Sequence, residues 1–253
     1  MADIIFYWDQ ISDATITASY GDITNLKDRN PNHKWTSTSL TNQQSVTIDF
    51  GSEKSCDSVL LDGINFGDTY DDGPQTQTVL IESSSNGSDW DSRGTLSNVS
   101  TKQALSFSSV SERYWRIYIA VNTGSFLTYP TIGNIFLGTK ITMTNIPYNA
   151  SHEYGKQYLT TKSRSLNGTW YSSQMFAGAA KWFIKFANFS DAIRTNLLTL
   201  FSGVRGNFYP FYFSDSDSTL NLVILNSDLN TIETKAYGVH DSVDLELEEY
   251  TVS

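Results

Sequence analysis

Residues 113–121 read RYWRIYIAV, and their order decides the fold. Trp115, Ile117 and Ile119 fall on one side of an extended chain, with Tyr114, Arg116 and Tyr118 between them. That is the period-2 pattern of a strand with one face in a core. Upstream, 45–50 read SVTIDF, with Val46, Ile48 and Phe50 on one face and Gly51 closing the strand. Residues 58–64 are more continuously apolar and predict a more buried strand. The segment 65–73, NFGDTYDDG, is an acidic, glycine-punctuated loop with Pro74 behind it, and loops of that composition lie at the surface. Alternation returns at Val79 and Ile81, Asn86-Gly87 gives a hairpin signal, and a last strand at 132–137 stops at Gly138.

The second half carries one helical pattern, at 191–202. Ser190 suits the N-cap, Asp191 the first turn and Gly203 the left-handed stop, while Ile193, Leu197, Leu200 and Phe201 make one apolar face. Strand-like runs surround it: 178–187, with Trp182, Ile184 and Phe186 inward, then 208–213, 219–225 and 243–247. The reading is a mainly β protein of two domains, 1–139 and 140–253, joined near 138–142. A length of 253 residues is about right for two domains of ordinary size.

Apolar residues make up 39% of the chain, aromatic 13% and charged only 17%, so it folds instead of staying disordered, and its aromatic residues favour strands over helices. The formal charge of −10 is uneven: residues 1–139 hold 16 acids and 8 bases, residues 140–253 hold 11 and 9. No basic cluster is present, which argues against nucleic acid as a partner. The single cysteine, Cys56, excludes an intramolecular disulfide and reads as a small filler residue. Neither a secretory signal nor a long apolar span is visible. The expectation is therefore synthesis in a cytoplasm without membrane insertion, and release by assembly or lysis.

Blocks of the first half, taken in order, resemble the discoidin family, which includes coagulation-factor C domains and many family-32 carbohydrate-binding modules. They are Ala18-Ser19-Tyr20, Asn25-Leu26-Lys27-Asp28, Trp35-Thr36-Ser37, 44–51 (QSVTIDFG), 79–90 (VLIESSSNGSDW), 113–117 (RYWRI) and 132–138 (IGNIFLG). No block is specific alone; the ordered set over about 120 residues is. The resemblance implies an eight-stranded antiparallel jelly-roll β-sandwich without catalytic activity, whose loops at one end bind sugars, lipid head groups or proteins. It also implies a structural calcium held by an acid in the N-L-x-D stretch, here Asp28, and a Glu near the last strand, where this chain has Asn134. The second half is similar, by pattern only, to the β-sandwich ring domain of distal tail proteins of long-tailed bacteriophages. Its order of Gly155, 181–186 (KWFIKF), the helix, 208–213 (FYPFYF) and an acidic ending at 245–249 carries that likeness.

Trp35 is read as core, as are Trp90 and Trp115. Loop residues are the ligand candidates: Tyr20, Asn32 and His33 before the Trp35 strand, and Tyr70, Asp71 and Asp72 in the acidic loop. Neighbouring side chains of the aromatic run point to opposite sides, so Tyr209 and Tyr212, or else Phe208 and Phe211, are expected to meet another subunit. Lys181 and Lys185, facing away from Trp182 and Phe186, either guard a sheet edge or face acidic groups of a neighbour. For catalysis the pattern is poor: His33, His152 and His240 are far apart, His152-Glu153 lacks the second His of H-E-x-x-H, and no G-x-S-x-G elbow or phosphate loop occurs.

These readings lead to an expected structural component of a phage tail tip and not an enzyme. In it, 140–253 form a hexameric ring that meets tail tube, hub and fibres, and 1–139 project as a discoidin-like module towards a cell-surface glycan. No cofactor is expected: calcium needs several hard oxygen ligands, and Asn134 in place of the Glu near the last strand weakens a site built on charge, with Asp28 left as the one candidate ligand. The rival readings are a free carbohydrate-binding lectin or adhesin, and a glycan-degrading enzyme with an accessory module.

Overall fold

The computed structural model describes the chain apart from residues 1–3, 41–42, 67–77, 98–100, 121–127, 144–150, 158–159, 165–169, 175–178, 187–188, 215–218, 228–233, 237–238, 241–242 and 251–253. The chain is mainly β, with several antiparallel sheets and one α-helix among the described residues. It divides into two compact units, one of Tyr7–Lys140 and one of Met1–Phe6 with Ile141–Thr251. No helix among the described residues is long and apolar enough to cross a membrane.

In the Tyr7–Lys140 unit the main sheet runs in the order Thr15–Ala18, Gln44–Asp62, Lys102–Ala120, Thr78–Ser84, Asp91–Ser97, and Asn134–Gly138 pairs with the far limb of Gln44–Asp62. The two strands read from sequence at 45–50 and 58–64 are limbs of one strand. Register shifts between Asp49 and Lys54 and between Cys56 and Ser58 let it bend, and Gly51 sits in that bend at φ +74° instead of ending the strand. The first limb brings Val46 opposite Ile117 and Ile48 opposite Trp115; the second brings Val59 opposite Leu137 and Leu61 opposite Ile135. All eight are buried in one core with Trp35, Phe66, Val79 and Ile81, the interleaved inner faces of a β-sandwich. Cys56 is in the same core, and burial pushes its thiol up to about 12, so it behaves as a small apolar filler.

The other unit is built on a seven-stranded sheet in the order Lys140–Met143, Ile4–Tyr7, Phe211–Ser214, Leu220–Leu225, Val243–Glu249, Ala179–Phe186, Ser151–Gln157. The first strand of the chain therefore hydrogen-bonds into the sheet of the second half. Phe6 lies 6.0 Å from Phe211 and 5.7 Å from Phe213 between ring centres, and Trp182 is 5.8 Å from Phe213. Trp182, Ile184 and Phe186 point inward as their alternation predicts. The helix spans Asp191–Gly203 and buries Leu197 and Leu200. Ser190 is extended at its start but makes no side-chain cap bond. Gly203 remains helical, and the left-handed turn falls later, at Arg205 and Gly206.

Candidate functional site

Four segments of the Tyr7–Lys140 unit become neighbours through backbone pairing. Trp35–Thr36 pairs with Thr131–Ile132, Thr36 lying opposite Thr131. The buried Trp35 indole donates to the Tyr20 carbonyl at 2.8 Å, the Ser37 N–H donates to Pro130 O at 2.9 Å, and Asn65 and Thr131 exchange two backbone bonds of 3.0 and 2.6 Å. The 20–21 turn, the 32–37 stretch, the start of the acidic loop and residues 129–131 are thereby brought together. Trp35 serves this arrangement as a core post, as read from sequence, and the loops around it supply the exposed groups.

Of the sequence-predicted candidates, Asn32 and His33 are exposed and Tyr20 is half-buried. The loop before His33 is held by consecutive side-chain turns. The Asn30 N–H donates to Asp28 Oδ1 at 2.9 Å, the Asn32 N–H to Asn30 Oδ1 at 2.9 Å, and His33 Nδ1 lies 2.6 Å from Asp28 Oδ2. Tyr70, Asp71 and Asp72 lie outside the described residues. Two further candidates enter by position alone: Asn65, exposed at the loop's start, and Tyr129, 47% exposed. Tyr129 carries no sequence signal, since one tyrosine among 14 before a proline stands out only when pairing with Trp35–Thr36 places it. Phenol rings, amides and an imidazole on a rigid frame suit a ligand with apolar faces and many hydroxyls.

Trp90 is half-exposed and not a core residue. The Arg116 guanidinium covers its ring at 4.3 Å, lies 4.8 Å from the Tyr118 ring and bonds the buried Glu82. This stack satisfies its own charges on the outer side of the sheet.

The assembly candidates of the second half divide. Phe208 is 68% exposed and packs edge-on against Tyr209 at 4.7 Å, and Tyr209 carries Arg205 at 5.2 Å. Phe211 and Tyr212 are both fully buried, which removes them as contact residues: at Phe211–Ser214 both faces of the sheet are covered. The reading of Lys181 is also corrected. Its strand lies between Val243–Glu249 and Ser151–Gln157 and is no edge, and the ammonium bonds Glu246 at 2.9 Å and Glu248 at 3.3 Å of its own chain. Lys185 is exposed, in register with Asp244.

Residues 25–117 match the family model described as NedA-like, galactose-binding domain, of the F5/F8 type C class. The matched stretch is a discoidin-like domain. Solved structures similar to it include chitosan-binding module 1 of a chitosanase/glucanase from Paenibacillus sp. IK-5, at 15% identity over 52% of this chain and 98% of that one, TM-score 0.42. A second is the module CpGH89CBM32-6 of Clostridium perfringens, at 18% identity over 49% and 92%, TM-score 0.40. A GH29 fucosidase of Ruminococcus gnavus is 16% identical over 52% of this chain but only 26% of its own length, TM-score 0.42. No curated protein matches the chain.

The calcium implied by the discoidin likeness does not fit the residues present. Calcium takes six to eight oxygen ligands, with carboxylates supplying the charge. Here both oxygens of Asp28 are engaged within its own loop, and Asn134 offers a neutral amide that is buried with neither atom hydrogen-bonded. Among the described residues no group of three or more His, Cys, Asp or Glu is placed to hold a metal ion.

Proposed function

We propose that the protein binds a neutral glycan through the loop end of its discoidin-like domain, with Tyr20, Asn32, His33, Asn65 and Tyr129 as contacts. The exposed Tyr129, set beside the Trp35–Thr36 strand by the Ser37–Pro130 bond, carries the reading. A phenol ring covers the apolar face of a sugar, and the amides and imidazole bond its hydroxyls. The galactose-binding description of the matched family makes galactose the first sugar to try. Titration with galactose, lactose and other neutral oligosaccharides, followed by amide chemical shifts, tests it: shifts should cluster at 20–21, 32–37, 65 and 129–131. Tyr129→Ala should weaken binding about tenfold or more, the loss of a buried aromatic contact, at unchanged melting temperature. Saturable binding that is unaffected by Tyr129→Ala, or none on a broad glycan array, overturns it.

The second unit is read as the carrier that multiplies this module, as a ring subunit of a phage tail tip would. The exposed Phe183 (44%) and Phe208 support it, since large exposed aromatics are enriched where subunits meet. Repetition of a weak sugar site gives avidity. Light scattering and electron microscopy test this part: a ring is expected, and a monomer at tens of micromolar counts against it.

A further inference from the structure

The loop carrying Asn32 and His33 is seated by two devices. Pro31 presses its carbonyl oxygen against a pair of glycines: a methyl group placed on Gly63 or Gly133 would come within 2.6 or 2.5 Å of that oxygen. The second device is Arg29. It adopts a left-handed φ of +57°, a conformation that L side chains avoid unless the surroundings impose it. What it gains there is a two-pronged ion pair, Nε to Asp9 Oδ2 and Nη2 to Asp9 Oδ1, both at 2.9 Å, with the Asp9 side chain only 2% exposed. A carboxylate that deeply buried requires a partner charge, and the planar guanidinium fork fixes direction as well as distance. Arg29 stands between Asp28, which holds His33, and Asn30, which holds Asn32.

We propose that Arg29 is a positioning residue of the glycan site: its fork on Asp9 fastens loop 28–33 in the binding shape, and the module works without a metal. This rests on the glycan reading only for its binding arm, since the fastening is measurable without sugar.

The full chain is compared with Arg29→Gly, which relieves the left-handed φ but deletes the fork, with Arg29→Lys, which keeps the charge, and with the exchange Asp9→Arg/Arg29→Asp. Hydrogen exchange of residues 28–34 is read first. It should rise at least tenfold in Arg29→Gly, with the amides of the Gln44–Asp62 strand unchanged, and recover partly in Arg29→Lys and in the exchange. Galactose affinity should fall about tenfold if the loop keeps the competent shape a tenth of the time. Millimolar calcium or EGTA should leave exchange, melting and affinity of the wild type unchanged. Loop exchange that is the same in Arg29→Gly overturns the fastening, and calcium that raises the melting temperature overturns the metal independence. Wild type that binds no sugar refutes the glycan reading while the exchange data still judge the fork.

Discussion

At the scale of single residues, Gly21 shows how little freedom the site frame has. Its φ is +90°, and a methyl group there would stand 2.2 Å from the Thr36 carbonyl oxygen and 3.0 Å from the Trp35 indole nitrogen. Space and backbone conformation both exclude a side chain, so the 20–21 turn lies directly on the Trp35–Thr36 strand. Gly21→Ala should destabilise the discoidin-like unit by about 2 kcal/mol or more, the left-handed cost plus a displaced strand, and urea unfolding followed by tryptophan fluorescence measures it. An unchanged midpoint would show that the turn is free to lift. Single residues were unevenly legible. Trp35 could be read as core from the W-T-S block of the family it resembles, and Cys56 from its place at the head of an apolar strand. Arg29 could not, because nothing local distinguishes a surface arginine from one whose partner, Asp9, lies 20 residues away.

Strands were legible in their faces and less so in their neighbours. The alternation of 113–119 and of 181–186 gave the buried residues correctly, because side-chain direction is a local property of extended chain. Which strand lies next, and whether the second face is bare, are non-local, and there the reading of Phe211, Tyr212 and Lys181 failed. Lys181 illustrates the consequence. Held between Glu246 and Glu248 across the strand pair and 17% exposed, its ammonium is pushed above the usual lysine range, first by the hydrogen bond it donates to Glu246. A raised folded-state value means that this contribution is fully present below the unfolded lysine's pKa and is lost as pH rises through the folded one. Lys181→Met should therefore cost about 1 kcal/mol at neutral pH. The gap to wild type should close in strong alkali; chemical denaturation at a series of pH values reads this. A gap that stays constant across the pH series would mean that the lysine acts through packing alone.

The whole molecule is organised by a chain that begins in one sheet, leaves it to build the discoidin-like unit, and returns. Residues 4–7, IIFY, fall within the 1–139 domain expected from sequence, yet four apolar residues carry no information about which sheet will receive them, so the first half could be outlined from its motifs while its opening strand joins the other sheet. Ile4–Tyr7 lies inside the seven-stranded sheet, between Lys140–Met143 and Phe211–Ser214, with Phe6 fully buried against Phe211 and Phe213. Removing Met1–Phe6 would leave two strands with unpaired backbone groups and a void of phenylalanine size, and loss of one buried Phe side chain alone costs about 3–5 kcal/mol. The Tyr7–Lys140 unit keeps its own core, which includes no residue before Ile11. A chain lacking Met1–Phe6 should thus lose the calorimetric transition of the second-half unit and expose it to protease. The other transition, the protected amides of 44–62 and 102–120, and galactose binding should persist. Loss of both transitions together would show that the two units fold as one, and retention of both would show that the opening strand contributes nothing its neighbours cannot replace.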